Sequence, residues 1–179
     1  MQLDDKNIKQ ILLDGSYITE GDLKKGEEFS KTHRTGLVEY LLSEGLITKD
    51  ILGQAMAESW KVAYSDLNSN LPAREQVLKI PEATAKKLHV VLFSETKSEV
   101  VITTDNPMAK GLEAELKTVF PDKKIIITFS LPEDINANFA HYEKALETRF
   151  SKIIEGKTKI APELLETIFT DALSLNVKP

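Results

Sequence analysis

Apolar positions in the first sixty residues recur at helical spacing, and they do so twice. LLDGSYITEGDL begins at Leu12 and LLSEGLITKDIL begins at Leu41. Leu12, Ile18, Thr19 and Leu23 of the first stretch match Leu41, Ile47, Thr48 and Leu52 of the second at one offset of 29 residues. Matched apolar and capping positions at a fixed offset mark an internal repeat. In the first copy Ile8, Ile11 and Leu12 predict a helix that Asp14-Gly15-Ser16 ends. Thr19 then suits an N-cap, with Glu20 and Asp22 in a first turn where carboxylates favour the helix dipole. Leu23 and Phe29 are expected to face inward, and that helix to stop near Thr32-His33-Arg34. In the second copy a helix over residues 35–43 carries Leu37, Val38, Leu41 and Leu42. Glu44-Gly45 makes the turn, and Thr48 caps a helix bearing Ile51, Leu52, Ala55 and Met56 that runs to Ser59-Trp60. One such helix pair cannot bury its own stripe, whereas two stacked pairs can.

Past Trp60 the period changes. Lys61 to Leu67 reads as a short strand or an extended linker, and Asn68-Ser69-Asn70 with Pro72 marks a boundary. Two short helices are expected over residues 74–80 and 81–88, with Pro81 at a first helical position. Val90 to Phe93 and Val100 to Ile102 read as strands joined by a polar SETKSE hairpin loop. Asp105-Asn106-Pro107 is expected to open a helix bearing Met108, Leu112, Leu116, Val119 and Phe120. Lys124 to Phe129, nearly all β-branched, reads as a strand covered on both faces. Pro132 opens an amphipathic helix with Ile135, Phe139, Tyr142, Leu146, Phe150, Ile153 and Ile154. Residues 155–159 read as a polar linker, and residues 162–175 as a last helix with a stripe of Leu164, Leu165, Ile168, Phe169 and Leu173. The expectation is an α+β chain: a helical repeat over residues 1–60, a β-β-α-β-α part over 61–154 with a mixed sheet of about three strands, and a linker and helix over 155–179. The crossover between residues 100 and 129 should be right-handed.

The chemistry is mostly negative. The 179 residues are 41% hydrophobic and 28% charged, with a net charge of −5 and no cysteine. That balance does not favour a nucleic acid partner. It leaves no disulfide, thiolate metal site or cysteine nucleophile. The start, MQLDDKN, is too polar for a signal peptide, and no apolar run approaches the ~20 residues of a membrane span. A cytoplasmic location follows as the expectation. His33, His89 and His141 share no helix face, so a metal site would need the fold to assemble it. Glu155-Gly156-Lys157-Thr158 resembles the end of a phosphate loop, but Ser151 stands where that loop needs glycine, so a solvated linker is the simpler reading. Glu27-Glu28 and Glu113-Glu115 read as solvated faces. Trp60 suits a tryptophan packed between the two parts, with a docking anchor as the other reading. No catalytic, cofactor-binding or metal-binding residue is singled out, and a partner-binding face is not identified.

Several stretches together resemble the N-terminal region of the type II secretion and type IV pilus assembly ATPases, the GspE/PilB/PulE group, and the related MshE-type N-terminal domain. They are the twin repeat, Tyr64-Ser65-Asp66-Leu67, the run from Leu78-Lys79-Ile80-Pro81-Glu82 to Val90-Val91-Leu92, and Val100 to Pro107. Ala161-Pro162-Glu163-Leu164-Leu165 to Asp171-Ala172 adds the helix that leads into the ATPase portion. The resemblance implies a non-catalytic docking or regulatory region. Its partners would be a cytoplasmic domain of an inner-membrane platform protein and the chain's own ATPase core in a hexamer. ATP and magnesium would belong to that core. The chain would then be peripheral to the inner membrane without inserting into it. Some relatives bind cyclic di-GMP through an Arg-Leu-Gly start in each repeat. Here those positions are Asn7-Ile8-Lys9 and Gly36-Leu37-Val38, which lack both arginines and both glycines of the pattern, and Arg34 lies two residues out of register. Sensing of that dinucleotide is the alternative reading.

Overall fold

The computed structural model describes residues 5–143. Four helices come first: α1 (Asp5–Asp14), α2 (Glu20–His33), α3 (Leu37–Ser43) and α4 (Lys49–Ser59). The 29-residue offset holds atom by atom. The Thr19 hydroxyl accepts from Asp22 N–H, and the Thr48 hydroxyl from Ile51 N–H, both at 3.2 Å. The turn before each cap closes with one bond, Tyr17 N–H to Leu12 O and Leu46 N–H to Leu41 O, both at 2.9 Å. Ser16 and Gly45 occupy the same left-handed backbone at φ 57° and 64°. Leu12 and Leu41 are both fully buried. The two copies are therefore one local design, in which a left-handed residue ends a helix and a threonine starts the next.

Two short helices follow, α5 (Arg74–Val77) and α6 (Glu82–Leu88), with Pro81 at the N-cap of α6. Then come β1 (Val90–Glu95), β2 (Glu99–Thr104), α7 (Leu112–Val119) and β3 (Lys124–Phe129). A further helix, α8, starts at residue 132 and continues to the last described residue. β1 and β2 pair antiparallel, and β2 and β3 pair in parallel, so the sheet is mixed, three-stranded and ordered β1-β2-β3. This is the expected α+β fold. Among the described residues, 5–141 form one compact unit. Its helical half and its sheet share a core, in which Leu12, Leu41, Ile47 and Met56 pack with Trp60, Phe129 and Leu131. Trp60 meets Phe129 edge-on with ring centroids 4.8 Å apart. Burying each of these large side chains contributes about 1.5–3 kcal/mol.

Four local expectations need correction. Phe29 does not face inward; it is 37% exposed and stacks on His33 and Tyr40 at the rim of α2. The helix expected from Asp105 starts at Leu112, because Gly111 adopts φ 79° and places its own turn there, leaving Met108 57% exposed. Ser94 and Glu95 belong to β1, so the hairpin turn is only Thr96-Lys97-Ser98. β3 lies at an edge of the sheet and only Thr128 and Phe129 in it are buried, so it is not a strand covered on both sides. The stripe residues Leu146, Phe150, Ile153 and Ile154, the 155–159 linker and the 162–175 helix lie outside the described residues.

Candidate functional site

The two repeat starts are where the resemblance places ligand chemistry. Ile8 and Leu37 at the middle positions are core residues. Lys9 projects from α1 and forms an ion pair with Glu27 of α2. That hydrogen bond is the first cause holding the Glu27 carboxyl below its usual pKa. The pair is about one third exposed, so it orients the two helices more than it stabilises them. Gly36 caps α3 through its backbone alone, and a side chain there would meet open space. Arg34 is consumed as the left-handed C-cap residue of α2 at φ 57°. An open groove of about 580 Å³ runs past the first copy's loop, lined by Gln10, Asp14, Tyr17, Thr19 and Glu20 among others. Its charged walls are carboxylates, which would repel a phosphate. A smaller groove of about 190 Å³ beside it holds Lys9, Lys24 and Glu20, and Lys9 is already paired there.

His33 and His89 belong to different helices. His33 stacks on Phe29 with centroids 3.9 Å apart, forming with Tyr40 an exposed aromatic ledge between α2 and α3. His89 ends α6 in the left-handed region and bridges two elements. Its Nδ1 is 2.7 Å from Asp105 Oδ2 beyond β2, and its Nε2 is 3.0 Å from Asn136 Oδ1 on α8. The Asp105 carboxylate can only accept, so Nδ1–H donates to it, and the ring thereby ties Asp105 to the Asn136 side chain. Among the described residues no three His, Asp or Glu side chains gather in a way that could hold a metal ion.

Sequence reasoning missed the polar groups at the carboxyl ends of β2 and β3. Ser65 Oγ donates to Thr128 Oγ1 at 2.8 Å, Thr103 Oγ1 donates to Ser130 Oγ at 2.7 Å, and the Ser130 hydroxyl donates to Ser65 O. These bonds clamp the segment Ala63–Ser65 along β3. The signal for them was the run of hydroxyl residues ending each strand. Beside this clamp, Asp134 of α8 is buried, and burial raises its pKa. Its Oδ2 has no hydrogen-bond partner, and neither has Asn138 Oδ1 one helical turn on. Tyr64 OH is also buried without a partner, and burial pushes its pKa up.

Comparison with known proteins adds the following. The model of the MshEN domain family matches residues 60–149. No curated protein matches the chain. A solved structure of MshE with cdg is similar at 18% identity and a TM-score of 0.50, covering 75% of this chain and 97% of that one. A structure of the N-terminal domain of XpsE is similar at 16% identity and a TM-score of 0.44, covering 79% of this chain and 97% of that one.

Proposed function

Because the chain belongs to the MshEN domain family, the non-catalytic N-terminal domain of GspE/PilB-type assembly ATPases, we propose that it docks such an ATPase onto a cytoplasmic domain of an inner-membrane platform protein. The observation that carries this reading is the family match over residues 60–149, which falls on a sheet welded to a helical repeat rather than on a reactive pocket. A shared core without an assembled set of reactive groups among the described residues suits binding better than turnover. No helix among the described residues is long and apolar enough to cross a membrane. In this reading attachment at the inner membrane runs through the partner, from the cytoplasmic side. ATP and magnesium belong in this reading to the motor, not to these residues.

Immobilised full chain should retain the platform protein's cytoplasmic domain at micromolar concentration. Folded protein that retains nothing would overturn the docking role. Cyclic di-GMP sensing has one thread of support, the cdg of the MshE structure. Against it, the one cation at the two repeat starts, Lys9, is already bound to Glu27, and the larger nearby groove presents carboxylates. A ligand with two phosphates gains little there. Calorimetry should give no heat with cyclic di-GMP at low micromolar concentration, and heat would reverse the choice.

A further inference from the structure

We propose that Asp134 carries a proton on Oδ2 and donates it to Asn138 Oδ1, and that loss of this proton loosens the first turns of α8. This does not depend on the docking role.

The inference starts from two buried oxygens that both lack a donor. Asp134 is 5% exposed and Asn138 2% exposed. Asp134 Oδ2 and Asn138 Oδ1 each have no hydrogen-bond partner. Buried polar atoms in native proteins are nearly always paired, so two orphans close together call for one cause. The two residues are four apart on α8. Side chains at that spacing share a helix face, with Cβ atoms about 5–6 Å apart.

The orientation of the Asn138 amide is fixed by its other end. Its Nδ2 donates to Asp134 O at 2.9 Å. A backbone carbonyl can only accept, so turning the amide over would set two acceptors against each other. Oδ1 is therefore the end that needs a donor, and the same bond draws it back over Asp134. An ionised carboxylate is acceptor-only and cannot supply that donor. A neutral carboxylic acid has one O–H and can. The Tyr64 hydroxyl, which is also buried without a partner, does not take this role. It is turned toward α4, 2.8 Å from where a Cβ of Gly53 would sit.

The surroundings favour the neutral form. Burial raises the Asp134 pKa most, and the charges of Glu133 and Asp66 add to it. The Asn68 side chain and Lys49 act the other way. Lys49, from α4, is shared with Glu133 at 3.3 Å. Asp66 is held in its own turn by Asn68 N–H at 2.8 Å and Ser69 N–H at 3.1 Å. One cation thus faces three carboxylates, and the buried one is the one best neutralised by a proton. Removing that proton leaves a charge under α8 beside Glu133 and Asp66. The charge regains water only if the start of α8 lifts.

Two measurements on the full chain test this. In carboxyl NMR with carbon-13-labelled aspartate, the resonance that disappears in Asp134→Asn should titrate above the ordinary aspartate range. Asn138→Ala removes the acceptor and admits water, and both changes should move that titration down. A titration in the ordinary range or below it overturns the proposal, since an ionised Asp134 bridged to Asn138 by a buried water would behave that way. A titration unmoved in folded Asn138→Ala also overturns it. Hydrogen exchange of the Ile135 to Phe139 amides reads the second half. Opening exposes the carboxyl and releases its proton. Corrected for intrinsic exchange, protection should therefore fall by up to ~10-fold per pH unit between the ordinary aspartate range and the raised value. Asp134→Asn, whose amide can donate to Asn138 Oδ1 at any pH, should hold that protection level. Protection of α8 that is level in the unaltered chain, or that falls equally in Asp134→Asn, overturns the proton-dependent loosening.

Discussion

Replacing Gly45 by alanine isolates the cost of one backbone torsion. Gly45 sits at φ 64°, and a Cβ built there meets nothing within 4 Å. No clash contributes, so the change measures only the price of a left-handed conformation for an L-residue, about 1–2 kcal/mol. Part of that is returned because alanine loses less backbone entropy on folding. The net expectation is a loss of about 1 kcal/mol, or about 2–4 °C in Tm for a chain of this size. The first repeat supplies the reverse experiment. Ser16 holds the same torsion at φ 57° with a side chain present, so Ser16→Gly should gain roughly 0.5 kcal/mol. Urea titration of both variants gives the two signs, provided the m-value is constant. If Ser16→Gly destabilised the protein by 1 kcal/mol or more, the equivalence of the two turns would fail, and with it the reading of the helices as a duplicated unit.

The paired caps should behave alike: Thr19→Ala and Thr48→Ala remove hydrogen bonds of equal length and should each cost about 1 kcal/mol in chemical denaturation. Gly53→Ala puts a Cβ 2.3 Å from the Tyr64 ring and should cost about 1–3 kcal/mol; Tyr64→Leu should recover part of that, and a double-mutant cycle showing no coupling would refute the contact. Burial raises the pKa of Asp134, so the native state holds that proton more tightly than the unfolded chain. Its contribution is full below the ordinary carboxylate pKa and is lost as pH rises through the raised value. Asp134→Asn should flatten this decline and leave the protein more stable at pH 7, on the order of 1 kcal/mol, as read from melts across a pH series.

The helical repeat was legible because its signals are local. The Thr19 and Thr48 caps and the Asp14-Gly15-Ser16 and Glu44-Gly45 stops each act within a few residues. Phe29 misled because periodicity names a face but not where the neighbouring helix crosses it. α3 crosses at Gly26, whose missing side chain leaves room for Leu37 and Tyr40, and Phe29 falls beyond that crossing. β3 misled for a related reason: three consecutive isoleucines read alike in a central and an edge strand, and strand order is set by distant pairing. At the candidate site the positions of Asn7, Lys9 and Gly36 were legible. That Lys9 is already engaged by Glu27, 18 residues away, was not, since an ion pair between helices leaves no mark on local pattern.

The contact of Trp60 with Phe129 bears on how this molecule can be dissected. Sequence character changes at residue 60, and the family match begins there, so that position invites a cut. A fragment starting after it would lose Trp60 and the helices above it, baring Phe129 and Leu131 to water. Both halves of such a cut would present apolar faces that the whole chain keeps covered, so each fragment should be less stable and more prone to aggregate than the intact pair.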